Sequence, residues 1–471
     1  MARHSAAHAH DPRRSDLHAL TRIRQCLLFL CLPLAAAAAE PVQEFTLPNG
    51  LKLIVQEDHR APVAVVQVWY KVGSSYEHDG TTGLSHALEH MMFKGTKHRK
   101  AGEFSRIVAA RGGKENAFTT TDYTAYFEQW AASNVELSFE LEADRMRNLT
   151  FDEHDFGKEM KVIMEERHMR TDDNPQALAS EAVDAVAFLT SPYRHPVIGW
   201  QSDLESMRLE DLRAWYERWY APNNAIVVVV GDVEPAKIHA LAVKHFGPLA
   251  KQPIPPTKPR TEPEQRGTKR LTFKSESATL PYLLMAYKAP VLVEALAKRN
   301  GAEPWEIYAL DVLSETLDGD QSSRLTRNLV RGRQIAAQVE SAYAPASRLD
   351  TLFSFAAVPT PGHTLEELEQ AIGAEIKALQ TAPPTPEELA RIKTRVVADK
   401  VFQQDSVFYQ AMVIGSLEAV GLDWRTKDEY VERIKAVTPE QVQAVAKKYL
   451  TEDRLTVAHL LPVAKGDADA H

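Results

Sequence analysis

The run His86-Ala87-Leu88-Glu89-His90 sets two imidazoles four residues apart, which on a helix is one turn along one face. Such a pair can hold one metal ion. Glu89, three residues after His86, lies on the same side and reaches toward a water on that ion. Imidazole plus carboxylate is a zinc-hydrolase ligand set, and three protein ligands leave the fourth position open for water. Zinc lowers the pKa of that water to about 7, and a nearby carboxylate can take its proton. The competing reading is a solvated helix face with two incidental histidines. Gly83 before the motif and Met91-Met92-Phe93 after it argue for a partly buried helix, on which polar residues need partners.

No histidine in the chain is followed by glutamate, so the forward H-E-x-x-H motif is absent. The order H-x-x-E-H is the inverted zinc-peptidase signature. A third ligand must come from elsewhere. The segment Glu153–Arg170 reads as a helix and offers Glu159, Glu165 and Glu166. Glu159 and Glu166 are seven apart, two turns on one face. Spacing alone does not choose among the three. His59, His78, His98, His154, His168, His195, His239, His245, His363 and His459 lack paired spacing and read as surface or core residues.

These residues must be carried by a folded chain, and composition supports one. The 471 residues are 44% hydrophobic and 25% charged, which excludes collagen-like, disordered and coiled-coil classes. The net charge of −9 opposes nucleic-acid binding. Cys26 and Cys31 are the only cysteines, so a disulfide framework and a cysteine-based zinc finger are both excluded. Residues 1–39 have the order of a secretory signal: arginines, then an apolar run from Cys26 to Ala39, ending in Ala37-Ala38-Ala39 before Glu40. The apolar run falls short of the ~20 residues that span a bilayer. The expectation is a periplasmic or secreted protein with no membrane span after signal removal. Residues 1–39 carry five arginines against two aspartates, so the remainder has a net charge of −12.

Along the chain, a Pro48-Asn49-Gly50 turn marks off β-rich runs at Leu51–Val55 and Val63–Tyr70. Helical patterns follow at Gly83–Phe93 and Glu103–Arg111. Ala117–Trp130, rich in Thr, Tyr and Phe, reads as extended strand. Val135–Asn148 and Leu209–Tyr220 read as helices, and Ala225–Gly231 as a buried strand. Lys251–Gly267 holds five prolines and many charges and reads as a stiff exposed linker. The order then recurs. A strand pair near Lys269–Tyr287 precedes helices at Trp305–Leu317, Leu365–Leu379, Pro386–Gln404 and Pro439–Tyr449, with a last strand at Leu455–Leu461. The expected fold is α+β, with two homologous α/β-sandwich halves at 40–250 and 269–463, a linker at 251–268 and a tail at 464–471.

Five segments together resemble a known family: GLSHALEHMMFKGT (83–96), GGKENAFTTTDYTAYF (112–127), KEMKVIMEER (158–167), SPYRHPVIG (191–199) and YAPNNAIVVVVGDV (220–233). The chain resembles the pitrilysin/insulinase zinc peptidases, and more closely their bacterial short-chain branch, similar to mitochondrial processing peptidase subunits. The resemblance covers essentially the whole chain after residue 39 and is stronger in the first half. It implies one Zn2+ per chain, held by His86, His90 and Glu166, with Glu89 as general base. It also implies that Glu159 orients a histidine, leaving Glu165 without a role. Asn116, Ala117 and Phe118 match the family's substrate-binding edge strand, on which a peptide adds as an extra strand. The implied reaction is hydrolysis of peptides or unfolded polypeptide segments.

One position departs from the pattern. Many relatives supply an Arg and, seven residues on, a Tyr from the second half. Arg331 matches the Arg, but the next position is Gln338. A tyrosine hydroxyl can donate to the oxyanion of a tetrahedral intermediate, and such donors are worth about 3 kcal/mol. Its absence makes the expected assembly either a homodimer or a heterodimer with a homologue supplying an Arg/Tyr pair. A non-catalytic assembly subunit of the same fold is the alternative reading, and the intact His86/Glu89/His90/Glu166 set argues against it.

Overall fold

The computed structural model describes residues 42–463, apart from 257 and 259; the signal-like leader and the tail lie outside the described residues. The first half runs β1 (Gln43–Thr46), β2 (Lys52–Glu57), β3 (Val63–Tyr70), α1 (Leu84–Met91), α2 (Glu103–Ala110), β4 (Lys114–Thr119) and β5 (Thr124–Ala131). It continues with α3 (Val135–Asn148), α4 (Glu153–Arg167), α5 (Pro175–Ala187), α6 (Gln201–Ser206), α7 (Leu209–Trp219), β6 (Ala225–Gly231) and α8 (Pro235–His245). The second half opens with β7 (Lys269–Ser275), β8 (Tyr282–Ala289), α9 (Leu292–Leu296), α10 (Pro304–Asp318), β9 (Ala336–Ala342) and β10 (Thr351–Pro359). It ends with α11 (Leu365–Thr381), α12 (Pro386–Gln403), α13 (Val407–Ala419), α14 (Thr426–Ala436), α15 (Pro439–Tyr449) and β11 (Leu455–Pro462).

The two sheets repeat one topology. The first has the order β1-β2-β6-β3-β5-β4 and the second β7-β11-β8-β10-β9. In each, the half's last strand pairs parallel with one early strand and antiparallel with another: β6 with β2 and β3, β11 with β7 and β8. This is the expected α+β pair of homologous halves. In each, the strand after the first long helices (β4, β9) lies at a sheet edge.

Both faces of the first sheet are covered, which is why β6 is an unbroken apolar run rather than an alternating one. Ala225, Val227 and Val229 pack with α1 and α7, whereas Ile226, Val228 and Val230 face the opposite layer. That opposite layer comes from the other half. Ala411, Ile414 and Ala419 of α13 pack on Ile54, Val65 and Trp69. Gly415 permits the approach, since a Cβ there would sit 2.1 Å from the Trp69 ring. The exchange is reciprocal: Ala179 and Val183 of α5 pack on Leu284, Ala286, Ala458 and Leu460 of the second sheet. Lys269 donates to the last carbonyls of α5, at Val186 (2.7 Å) and Ala187 (3.0 Å), where a cation suits the helix dipole.

Two expectations change. The stretch expected as one strand over Ala117–Trp130 is a hairpin, with β4 beginning at Lys114 and a turn at 120–123. Thr120 causes the break: its Oγ1 accepts from Asp122 N and Tyr123 N, both at 3.2 Å, which competes with strand pairing. The described residues of the proline-rich segment form no helix or strand, and the segment is not simply an exposed linker. Glu262 accepts from Leu189 N (2.9 Å), Thr190 N (2.8 Å), Ser191 N (3.0 Å) and Lys288 Nζ (2.7 Å), joining it to both halves.

Candidate metal centre

Helix α1 lies on the inner layer, burying Leu84, Ala87, Leu88 and Met91. That face leaves His86, Glu89 and His90 on the opposite stripe, facing α4 and β4. Helix α4 starts at an Asp152 N-cap that accepts from His154 N and Asp155 N, and it buries Phe156, Met160 and Ile163. Its polar stripe then presents Glu159 and Glu166 two turns apart. Val162, beside them in sequence, is half exposed.

His86, His90 and Glu166 converge. One ligand atom from each lies within 4.8 Å of the others, the one such three-residue group among the described residues. Glu166 Oε2 stands 3.7 Å from His86 Nε2 and 3.4 Å from His90 Nε2. Ligand atoms about 2.1 Å from a tetrahedral zinc stand about 3.4 Å from one another, so the three residues fit such an ion. The protonation states agree. Burial, with the neighbouring His90 and Arg170 charges, pushes His86 down to about 3, leaving it neutral and able to ligate. His90 Nδ1 is 3.2 Å from Glu159 Oε2, an acceptor suited to the tautomer that leaves the Nε2 lone pair for the cluster. Lys94 pairs with the other oxygen of Glu159 at 2.5 Å. Glu166 Oε1 is held by Arg170 at 2.8 Å.

Glu89 is largely buried, which raises its pKa despite a hydrogen bond from Thr119 Oγ1 to its Oε2 at 2.5 Å. A carboxyl with a raised pKa is suited to accept a proton and give it back. Thr119 ends β4, so the edge strand and the carboxylate are tied together. Side chains alternate along β4. Ala117 packs with the inner layer, while the Phe118 ring packs on Trp69 (5.6 Å) in the outer layer. Asn116 accepts from Ala117 N at 2.9 Å. Asn116, Ala117 and Phe118 lie on β4 at the sheet edge, with the Phe118 ring turned to the layer away from the cluster. Glu165 has no place in the cluster.

Arg331 lies elsewhere. It sits on the π-helical turn Thr326–Gly332 of the second half and donates to Gln321. Gln338, on β9, donates to Glu340. Neither touches the cluster. Thr119 belongs with Asn116, Ala117 and Phe118 to the edge strand that the resemblance implies, but sequence reasoning missed its bond to Glu89, and missed Lys94 and Arg170. The i, i+4 spacing of Glu166 and Arg170 was a usable signal, whereas Thr119 meets Glu89 only through the fold.

Comparison with known proteins agrees with this geometry. Residues 52–200 match the model described as "Insulinase (Peptidase family M16)", and residues 206–396 match "Peptidase M16 inactive domain". The zinc protease PqqE of Helicobacter pylori is 32% identical over 423 residues, covering 89% of this chain and 93% of the relative. The crystal structure of a protease from Helicobacter pylori superposes with TM-score 0.84 at 32% identity, covering 90% of this chain and 100% of that one. The periplasmic protease PqqL from Escherichia coli shares the fold at TM-score 0.74 and 18% identity, over 90% of this chain and 48% of that one. The match to the insulinase model spans the motif helix and the third glutamate together, so the chain belongs to the insulinase family, peptidase family M16, as a zinc-dependent peptidase.

Proposed function

We propose that this chain is an exported endopeptidase carrying one zinc ion, which cleaves peptides or unfolded polypeptide segments. The observation that carries the reading is the convergence of His86, His90 and Glu166 beside a half-buried Glu89 tied to an edge strand. His86 Nε2, His90 Nε2 and Glu166 Oε2 are the ligands, and Glu159 holds the His90 tautomer. When bound, zinc supplies Lewis acidity and makes a water acidic near neutrality. Glu89 takes a proton from the attacking water and returns it to the leaving amine. A substrate backbone adds along β4 at Asn116–Phe118, which brings a scissile carbonyl toward the cluster and suits extended chains of varied sequence.

The leader over residues 1–39 supports a periplasmic or secreted location, as does the likeness to a protein described as a periplasmic protease. No helix among the described residues is long and apolar enough to cross a membrane. The halves correspond to 40–250 and 269–463, with 251–268 joining them. Gln338 supports pairing with a second chain, identical or homologous, that supplies an Arg/Tyr pair alongside Arg331. Glu89→Gln tests the chemistry: it keeps zinc and loses at least about 100-fold in turnover. Persistent hydrolysis by that variant, in a preparation free of other proteases, removes Glu89 from its role.

A further inference from the structure

Helix α1 has no cap of its own. Gly83 occupies its N-cap at φ 88° and contributes no side chain. The first N–H groups are instead bonded by Glu77, a fully buried residue six positions upstream. Glu77 Oε2 accepts from Gly83 N and Oε1 from Ser85 N, both at 2.7 Å. Ser85 adjoins His86. Burying a carboxylate is costly unless its oxygens are bonded. Here both are, by the backbone that starts the metal-binding helix, where negative charge is favoured.

Glu77 ends a strap, residues 73–77, and the second half grips that strap through one side chain. Arg348 Nη2 donates to Ser75 Oγ at 2.7 Å and to Ser75 O at 3.3 Å. Its guanidinium lies 4.3 Å from the centre of the Tyr76 ring. Ser75 Oγ donates to Asp122 Oδ1 at 3.0 Å, and Arg348 N donates to Asp122 Oδ2, also at 3.0 Å. The strap reaches the turn after β4 as well: Ser74 N donates to Thr120 O (3.2 Å) and Ser75 N to Thr121 O (2.7 Å). Gly73 is needed for that approach, since a Cβ there would sit 2.3 Å from Thr120 O.

We propose that Arg348 and Glu77 are positioning residues through which the second half holds the metal-binding helix and the end of the edge strand in fixed relation. The proposal rests on reading α1 as the zinc helix. Its test uses the full chain, with and without zinc, as Glu77→Gln, Arg348→Met, Arg348→Lys and the double variant Glu77→Gln/Arg348→Met. The readouts are amide hydrogen exchange over residues 78–92 in the zinc-free protein and zinc affinity by chelator competition. Glu77→Gln replaces one acceptor by a donor. It speeds exchange at Gly83 and Ser85 about 10-fold or more and weakens zinc about 10- to 100-fold. Arg348→Met acts in the same direction more weakly. Arg348→Lys, which keeps the charge but not the planar fork, falls between Arg348→Met and the unmodified protein. The double variant loses less than the product of the single losses.

Wild-type exchange and zinc affinity in Arg348→Met, with only a lower Tm, would show that the arginine merely joins the halves. Independent, multiplicative losses overturn the connection too. If Arg348→Met does not fold, Ser75→Ala removes one hydroxyl from the same strap, and unchanged exchange there also overturns the proposal. A wild-type protein that binds no zinc sinks the metal reading, while the exchange data still judge the strap.

Discussion

Helices α1 and α10 stand at the same point of the two halves, each followed by an edge hairpin, yet they are built differently. α10 has 15 residues and buries Ile307, Leu310, Val312, Leu313 and Leu317. It is capped locally: Glu306 accepts from Glu303 N at 3.0 Å, and the same carboxylate accepts from Lys448 and Tyr449. α1 has 8 residues, a stripe of three polar side chains facing α4 and β4, and a cap borrowed from Glu77. One half keeps its helix for the core; the other, capped from Glu77, sets His86, Glu89 and His90 on one stripe of a helix whose other side is buried. The second half reaches the two sides of the first sheet differently, through Arg348 at the strap before α1 and through helix α13 on the opposite sheet face.

The largest expected effects separate these two roles. Leu88→Ala in α1 and Leu313→Ala in α10 remove fully buried side chains, and each costs about 2–5 kcal/mol in urea unfolding. Only Leu88→Ala also lowers peptide hydrolysis and zinc affinity at temperatures where the variant stays folded. Equal activity losses from both would erase the distinction between the helices.

The exchanged helix gives the next effect. Gly415→Ala forces a methyl against Trp69 and costs about 1–3 kcal/mol. Gly373→Ala, inside α11 with nothing within 4 Å, gains about 0.5–1 kcal/mol. If both glycines respond alike to alanine, the close approach of α13 to the first sheet is not as described.

Glu262, which joins the halves, gives a pH-dependent effect. Burial alone would raise its pKa, but Lys288 and the N–H groups of Leu189, Thr190 and Ser191 hold it down to about 2. An unfolded glutamate titrates near 4.3. A depressed folded pKa gives stability that is fully present above about 4.3 and is lost as pH falls toward 2. Glu262→Gln therefore lowers Tm at pH 7, and the difference from wild type shrinks over that window. A pH-independent difference would mean that the carboxylate's charge is not what joins the segments. Smallest is Arg433→Ala on α14, an exposed i, i+4 pair with Glu429 at 3.0 Å, which changes stability by less than about 0.5 kcal/mol.

What was legible in the sequence was what local spacing determines. Val135–Asn148, Ala225–Gly231 and Pro439–Tyr449 show their periods and stop signals plainly, and His86 and His90 declare a shared face within five residues. The third ligand did not declare itself by spacing. Glu159, Glu165 and Glu166 differ only in which side of α4 meets α1, and the packing of Met160 and Ile163 decides that. The hairpin at 120–123 was hidden because Thr favours strands in general while the Thr120 hydroxyl here closes a turn. Glu77, Arg348 and the exchange of α5 and α13 were invisible for another reason. Their partners lie far away in sequence or carry only backbone groups, and no pattern of residue types marks them.

In the reading proposed above, His86, His90 and Glu166 form one zinc site on which hydrolysis depends. It is tested most directly by measuring zinc content and peptide cleavage together in the wild type, Glu166→Gln and Glu165→Gln. About one zinc per chain and cleavage are expected in the wild type, both kept in Glu165→Gln and both lost in Glu166→Gln. Zinc retained at full occupancy in Glu166→Gln, or lost in Glu165→Gln, would contradict it.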